Sequence, residues 1–139
     1  MAMTNAFDAK VSGYHDIALV VGRILIGLLF LIAAYNKFKG YDGSIAYFTR
    51  LGIPAASALV PLVILFEAAA AVLLIVGYQT RIAALALGVF VVAAALIAHT
   101  NFADGNQLNH FLKNVAIAGG CLALLVSGAG AYSLDAKRG

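Results

Sequence analysis

Four long apolar stretches, separated by short polar segments, make up most of this chain. They cover residues 17–35, 59–77, 81–99 and 108–128. Each is about 20 residues long, and a helix of that length rises roughly 30 Å, which is the thickness of the hydrocarbon core of a bilayer. The pattern therefore predicts four transmembrane helices, numbered 1 to 4 in chain order.

The segment between helices 1 and 2, residues 41–53, is too polar for a transmembrane span. Large apolar side chains alternate there with polar and charged ones. The apolar set is Ile45, Tyr47, Phe48 and Leu51, and the polar set is Asp42, Thr49 and Arg50. Aromatic side chains and cations next to a transmembrane helix are typical of an interfacial segment, such as a short amphipathic helix on the membrane surface.

Short connections between the predicted helices favour antiparallel neighbours and hence an up-down bundle. The expected fold class is all-α: an integral membrane four-helix antiparallel bundle with a short interfacial segment between helices 1 and 2. We expect a polar N-terminal tail (residues 1–16), a single transmembrane domain (17–130) and a C-terminal tail (131–139). An even number of spans places both termini on the same side of the membrane.

Composition supports a membrane protein. Of the 139 residues, 63% are hydrophobic and 11% are charged, and the mean hydropathy is +0.97. Soluble domains carry about 25% charged residues. The lipid bilayer is therefore the expected partner, and a nucleic-acid partner is not expected because no basic cluster lies on a soluble face. The flanking cations (Lys10, Arg81, Lys137 and Arg138 against Lys37, Lys39 and Arg50) only weakly favour cytoplasmic termini.

Glu67 is the only charged residue in the second apolar stretch. A carboxylate at the centre of a span costs about 2.5–3.5 kcal/mol, so it must face protein or water and needs a partner. Counting the helical rise from the predicted ends puts Arg23 roughly 6 Å from Glu67 in depth, within reach of an arginine side chain. We therefore expect an Arg23–Glu67 pair, which either only fixes helix packing or forms the charged floor of a ligand site.

The other polar residues near the helix ends form a second cluster on the opposite side of the membrane. They are Asn36, Lys37, His99, His110, Lys113 and Asn114. The two lysines can instead extend to the membrane surface. The two histidines could ligate a haem, but we favour histidines that hydrogen-bond loop carbonyls.

Taken together, the two clusters could line an apolar site that contains a few hydrogen-bond donors and a titratable group. A quinone head group requires a site of this kind. No intrinsic cofactor is expected, and no metal ligand set, phosphate-binding loop or nucleophile–base pair is evident. Cys121 is the single cysteine and lies in an apolar run, so it is expected to be buried and cannot form an intramolecular disulfide.

A series of short motifs carries a family resemblance. The motifs are Arg23, Gly27 and Asn36-Lys37; Phe48, Gly52, Ile53 and Pro54; Glu67 and Gly77; His110, Phe111, Lys113, Asn114, Ala116, Ala118, Gly119 and Gly120; and Tyr132, Ser133, Leu134 and Asp135. In their order and spacing, over residues 21–135, they resemble the DoxX family. The resemblance implies a four-helix bacterial inner-membrane protein linked to membrane redox systems. The link is implied because relatives in that family are named as quinone-reducing subunits of thiosulfate oxidation or as partners of oxidative-stress enzymes.

The resemblance also implies that Arg23, Lys37, Glu67, Lys113 and Asn114 are polar-core positions. The favoured hypothesis is a membrane subunit that binds a quinone or similar lipophile and is not catalytic alone, with a membrane or peripheral redox protein as partner. The alternatives are a small carrier or permease, which would need to form a homo-oligomer, and an assembly or scaffolding protein without chemistry of its own.

Overall fold

The computed structural model describes residues 2–139, and it describes their side chains from residue 5 onward. These residues form helices and connecting segments, with no strand among them. The helices are α1 (Ala2–Ser12), α2 (His15–Lys39), α3 (Tyr41–Arg50), α4 (Ala56–Val76), α5 (Thr80–Ala98), α6 (Gly105–Ser127) and α7 (Leu134–Lys137).

The four predicted transmembrane helices are confirmed as α2, α4, α5 and α6. They contain 25, 21, 19 and 23 residues, and each is long and apolar enough to cross a membrane. Helix α2 extends four residues further than expected, to Lys39, because residues 36–39 contain no glycine or proline and the first glycine after them is Gly40. Within the expected tails, residues 2–12 form α1 and residues 134–137 form α7.

The bundle is built from two tightly packed helix pairs, α2 with α4 and α5 with α6, which meet mainly between α4 and α5. Gly27 permits close approach of the first pair, since a Cβ atom there would overlap the Ile75 side chain. The buried face of α2 consists of Arg23, Gly27, Phe30 and Ala34. Their spacing of three and four residues places them on one stripe, which faces the rest of the bundle.

The predicted interfacial segment is present as the short helix α3, which packs mainly against α4. None of its residues is fully buried. It joins α4 through a tight turn in which Gly52 and Ala55 have φ values of 76° and 53°. The left-handed conformation is unusual for alanine and marks a sharp change of chain direction. As a result α3 lies across the end of the α2–α4 pair, next to the candidate site.

Candidate functional site: a cavity around a buried ion pair

A cavity of about 410 Å³ lies among α2, α3, α4, α5 and α6, at the end of the bundle away from the termini. Most of its wall is apolar. Leu29, Phe30, Ala33, Leu59, Val63, Phe90, Ala94 and Ile97 contribute from the transmembrane helices, and Tyr47, Phe48 and Leu51 contribute from α3. Five polar side chains interrupt this wall: Lys37, Glu67, His99, Lys113 and Asn114.

Glu67 forms an ion pair with Lys37. The Lys37 ammonium donates to both carboxylate oxygens, with Nζ–O distances of 3.1 and 2.9 Å. The Glu67 side chain is only 3% exposed, whereas that of Lys37 is 26% exposed. Side chains on a helix lean towards its N-terminus. Because α2 and α4 are antiparallel, Lys37 leans into the membrane and Glu67 leans out to meet it.

The predicted Arg23–Glu67 pair is wrong. Arg23 is 1% exposed, and it donates to backbone carbonyls at the terminal end of the bundle: Ile75 at 3.1 Å, Tyr132 at 2.7 Å and Leu74 at 3.5 Å. Its side chain leans towards the N-terminus of α2, which is away from Glu67. The acid is nevertheless shielded from lipid, because Lys37 takes the role expected of Arg23.

The terminal end of the bundle is closed by the residues that follow α6. The Asp135 carboxylate accepts hydrogen bonds from the backbone N–H groups of Gln79 and Thr80, at 2.8 and 2.9 Å, and so caps α5. Burial raises the pKa of Asp135, but these hydrogen bonds and the nearby Arg138 outweigh it and hold the pKa below its usual value. This end of the molecule is therefore a structural closure, separate from the cavity.

The two histidines come together at the mouth of the cavity. The rings of His99 and His110 stack with centroids 5.0 Å apart and planes at 25°. Lys113 Nζ lies 3.4 Å from Nδ1 of His110. Burial lowers the pKa of His99, and the neighbouring His110 and Lys113 lower it further.

This arrangement differs from both ideas raised by the sequence. Rings stacked with centroids 5.0 Å apart do not direct their nitrogens at opposite faces of one haem. Within residues 5–139, neither ring donates to a loop carbonyl.

The structure therefore brings together five of the seven candidate residues on one wall. They are Lys37, Glu67, His99, Lys113 and Asn114. His110 supports the wall by stacking on His99, and Arg23 belongs to the terminal end. Sequence reasoning missed that α3 forms part of the cavity wall. The spacing of Tyr47, Phe48 and Leu51 places them on one face of a short helix, but it does not tell whether that face meets lipid or the bundle.

These features define a class: a multi-pass helical membrane protein with an ion pair buried beside an apolar cavity. Comparison with known proteins then identifies the family. The sequence model named DoxX matches residues 18–100, which is more than half of the chain. The chain belongs to the DoxX family.

Two Escherichia coli K12 proteins are similar over almost their whole length. The inner membrane protein YqjF is 39% identical over 121 residues, covering 87% of this chain and 92% of the relative. The inner membrane protein YphA is 34% identical over 128 residues, covering 88% of this chain and 91% of the relative. With the four apolar helices, these matches support a multi-pass inner-membrane protein.

A more distant relative has a redox name. The Bacillus subtilis protein named "Putative oxidoreductase CatD" is 27% identical over 81 residues, covering 58% of this chain and 59% of the relative. No solved structure is significantly similar to the chain.

Proposed function

We propose that this protein is a membrane subunit associated with a redox system and that it binds a quinone or similar lipophilic molecule in the cavity. The observation that carries the proposal is the Lys37–Glu67 ion pair on the wall of an otherwise apolar cavity. Ionisable groups inside a membrane domain are expensive and are commonly functional. An apolar cavity with a few convergent polar groups is the usual form of a small-molecule site.

The cavity suits a flat ring that carries oxygen atoms. Its volume of about 410 Å³ lies within the range of about 300–1,000 Å³ that is common for small-molecule pockets. His99, Lys113 and Asn114 offer N–H donors to a ring oxygen, while the aromatic and aliphatic wall contacts its faces. In this proposal the Lys37–Glu67 pair, which lines the same cavity, exchanges protons with the bound ring when the partner protein reduces it.

A separate redox protein would supply the electrons. In this proposal the redox centre belongs to a membrane or peripheral partner that docks on the four-span domain. The distant similarity to a protein with an oxidoreductase name supports this association. We therefore propose that the chain is not catalytic alone.

The position of the polar groups favours a closed binding site over a carrier path. Phe30 lies seven residues from both Arg23 and Lys37 on the buried face of α2, and it is 2% exposed. With Ala71 and Leu87, which are fully buried, it forms an apolar layer between the two polar ends. A carrier needs a polar route past such a layer, and a scaffolding protein needs no cavity.

Two alanine-to-phenylalanine variants test the proposal. Ala94 lines the cavity, whereas Ala118 lines a groove of similar volume between α5 and α6. Both alanines are partly buried. We expect that wild-type protein and Ala118→Phe purify from membranes in mild detergent with bound quinone, or are thermally stabilised by added quinone. Ala94→Phe should neither retain quinone nor be stabilised by it. Wild-type protein that neither retains nor responds to any quinone contradicts the proposal.

We also propose that both termini lie in the cytoplasm. Lys10, Arg81, Lys137 and Arg138 flank the spans on the terminal side, and one of the three cations on the other side, Lys37, is directed inward to Glu67. A C-terminal fusion to green fluorescent protein should fluoresce, and a fusion to alkaline phosphatase should be inactive. The reverse result would place the termini in the periplasm.

A further inference from the structure

The charge on the cavity wall does not balance. Among the described residues, Glu67 is the only carboxylate that lines the cavity, and Lys37 already contacts both of its oxygens. This pair contributes no net charge. Lys113 is a second cation on the wall, and within the described part of the chain its side chain has only Nδ1 of His110 as a hydrogen-bond partner, at 3.4 Å. The wall therefore carries one uncompensated positive charge.

A buried amide lies next to this cation. Asn114 lines the cavity and is 8% exposed. Within residues 5–139, its side chain makes no hydrogen bond to another protein group. Among the described residues, the fully enclosed side-chain atoms without a partner are Arg23 Nε and Thr80 Oγ1. The Asn114 amide is not one of them, so it opens to the cavity, where a ligand group can satisfy it. A cation beside an amide donor is a suitable pair for an oxygen anion.

The surroundings of His99 agree with a positive potential at this end of the cavity. Burial lowers the pKa of His99, and its neighbours His110 and Lys113 lower it further. The titratable groups that line the cavity or stack on it are Lys37, Glu67, Lys113, His99, His110 and Tyr47. Glu67 is the only carboxyl group among them, and the others are two lysines, two histidines and a tyrosine.

We infer that the cavity prefers lipophilic molecules whose head group carries a negative charge on oxygen, with Lys113 as the counter-ion and Asn114 as a second donor. The inference rests on the proposed function and narrows its ligand class. Two sources share this chemistry: ionised hydroxyquinones and long-chain carboxylates.

Matched ligand pairs separate charge from shape. The first pair is an alkyl hydroxynaphthoquinone, fully substituted on its quinone double bond so that thiols do not add to it, and its methyl ether. The second pair is a long-chain fatty acid and its methyl ester. Each is added to the protein in nanodiscs of neutral phospholipid, with empty nanodiscs as the control for partitioning. Cys121 is the only cysteine and is 1% exposed, so a thiol-reactive dye reports thermal unfolding directly.

We expect the anionic member of at least one pair to bind about tenfold more tightly than the neutral member, the usual scale of a charge-assisted hydrogen bond. Preference within the quinone pair or within the fatty-acid pair identifies the source. Lys113→Met should abolish the preference, and Lys113→Arg should retain it. Lys39→Met is the matched control, because Lys39 is exposed at the same end of the bundle and does not line the cavity.

Glu67→Gln should change the preference for the anionic ligand in the direction opposite to Lys113→Met. It leaves Lys37 without its carboxylate and so adds a second free cation to the wall, which should strengthen the preference for the anion. A residue that only maintains the fold would not produce this increase. Equal binding of both members of each pair, or an unchanged preference in Lys113→Met, overturns the inference while the proposed function stands. Failure of every ligand to bind overturns both.

Discussion

Replacing Lys37 with methionine removes one partner of a buried ion pair and leaves the other in place. Glu67 is 2% exposed and accepts from Lys37 at both oxygens. Breaking a buried pair typically costs about 3–5 kcal/mol. The Lys37 side chain is 26% exposed, so water can reach the acid, and we expect a loss of about 2–3 kcal/mol in the free energy of unfolding.

A double-mutant cycle measures the coupling between the two residues. Lys37→Met, Glu67→Gln and the double variant are unfolded in mixed micelles, and exposure of the Cys121 thiol reports the unfolded fraction. Once the lysine is gone, a neutral amide is easier to bury than a carboxylate. The double variant should therefore lose about 1–2 kcal/mol less free energy of unfolding than the two single variants lose together. Lys39→Met should change stability by less than about 0.5 kcal/mol.

A second double-mutant cycle, on Arg23 and Glu67, tests whether Lys37 rather than Arg23 is the partner of Glu67. The two side chains belong to opposite ends of the bundle, since Arg23 contacts the carbonyls of Ile75 and Tyr132. Their effects should therefore add within about 0.5 kcal/mol. Coupling between Arg23 and Glu67, with additive effects for Lys37 and Glu67, would show that the assigned pairing is wrong.

Two further predictions concern the terminal end of the bundle. Gly77→Ala should destabilise the protein by about 1–3 kcal/mol, because the φ of Gly77 is +70° and a Cβ atom there would overlap the Arg23 guanidinium. The control is Gly22→Ala, since Gly22 lies in open space on the same helix as Arg23. In the same unfolding assay this control should be neutral or stabilising. The pKa of Asp135 is lowered on folding, so its contribution is complete above its unfolded value of about 3.9 and disappears as the pH falls through the folded value. Stability measured against pH should therefore fall less steeply below pH 4 in Asp135→Asn than in wild-type protein.

The helices could be predicted from the sequence because length and hydropathy alone define a span. The inward stripe of α2 was equally accessible, since Arg23, Gly27, Phe30 and Ala34 recur at helical spacing and all prove to be buried. Both properties are local, so they do not depend on how the helices are arranged in the bundle.

The partner of Glu67 could not be obtained by counting depth. An error of two residues at each predicted helix end shifts the estimated depth by about 3 Å per helix, which is half of the 6 Å on which the Arg23 assignment relied. The decisive property was direction: in antiparallel neighbours, side chains near the C-terminal end of one helix lean towards those in the middle of the other. Applied to α2 and α4, this rule selects Lys37 and excludes Arg23.

The cavity could not be predicted by considering each helix separately. Its wall combines residues of five helices, and the contribution of α3 depends on the sharp turn at Gly52 and Ala55. The pattern in α3 predicted its amphipathic character, but the two partners available to its apolar face, lipid and the α2–α4 pair, are indistinguishable by hydropathy.

The contact between Arg23 and the Tyr132 carbonyl has a consequence for biosynthesis. The two residues are 109 positions apart in the chain. At ordinary rates of translation, of about 5–20 residues per second, Tyr132 is added to the chain roughly 5–20 s after Arg23. Until the segment after the last span is made, Arg23 therefore lacks one of its final acceptors, and we expect water or the insertion machinery to solvate the cation in that interval.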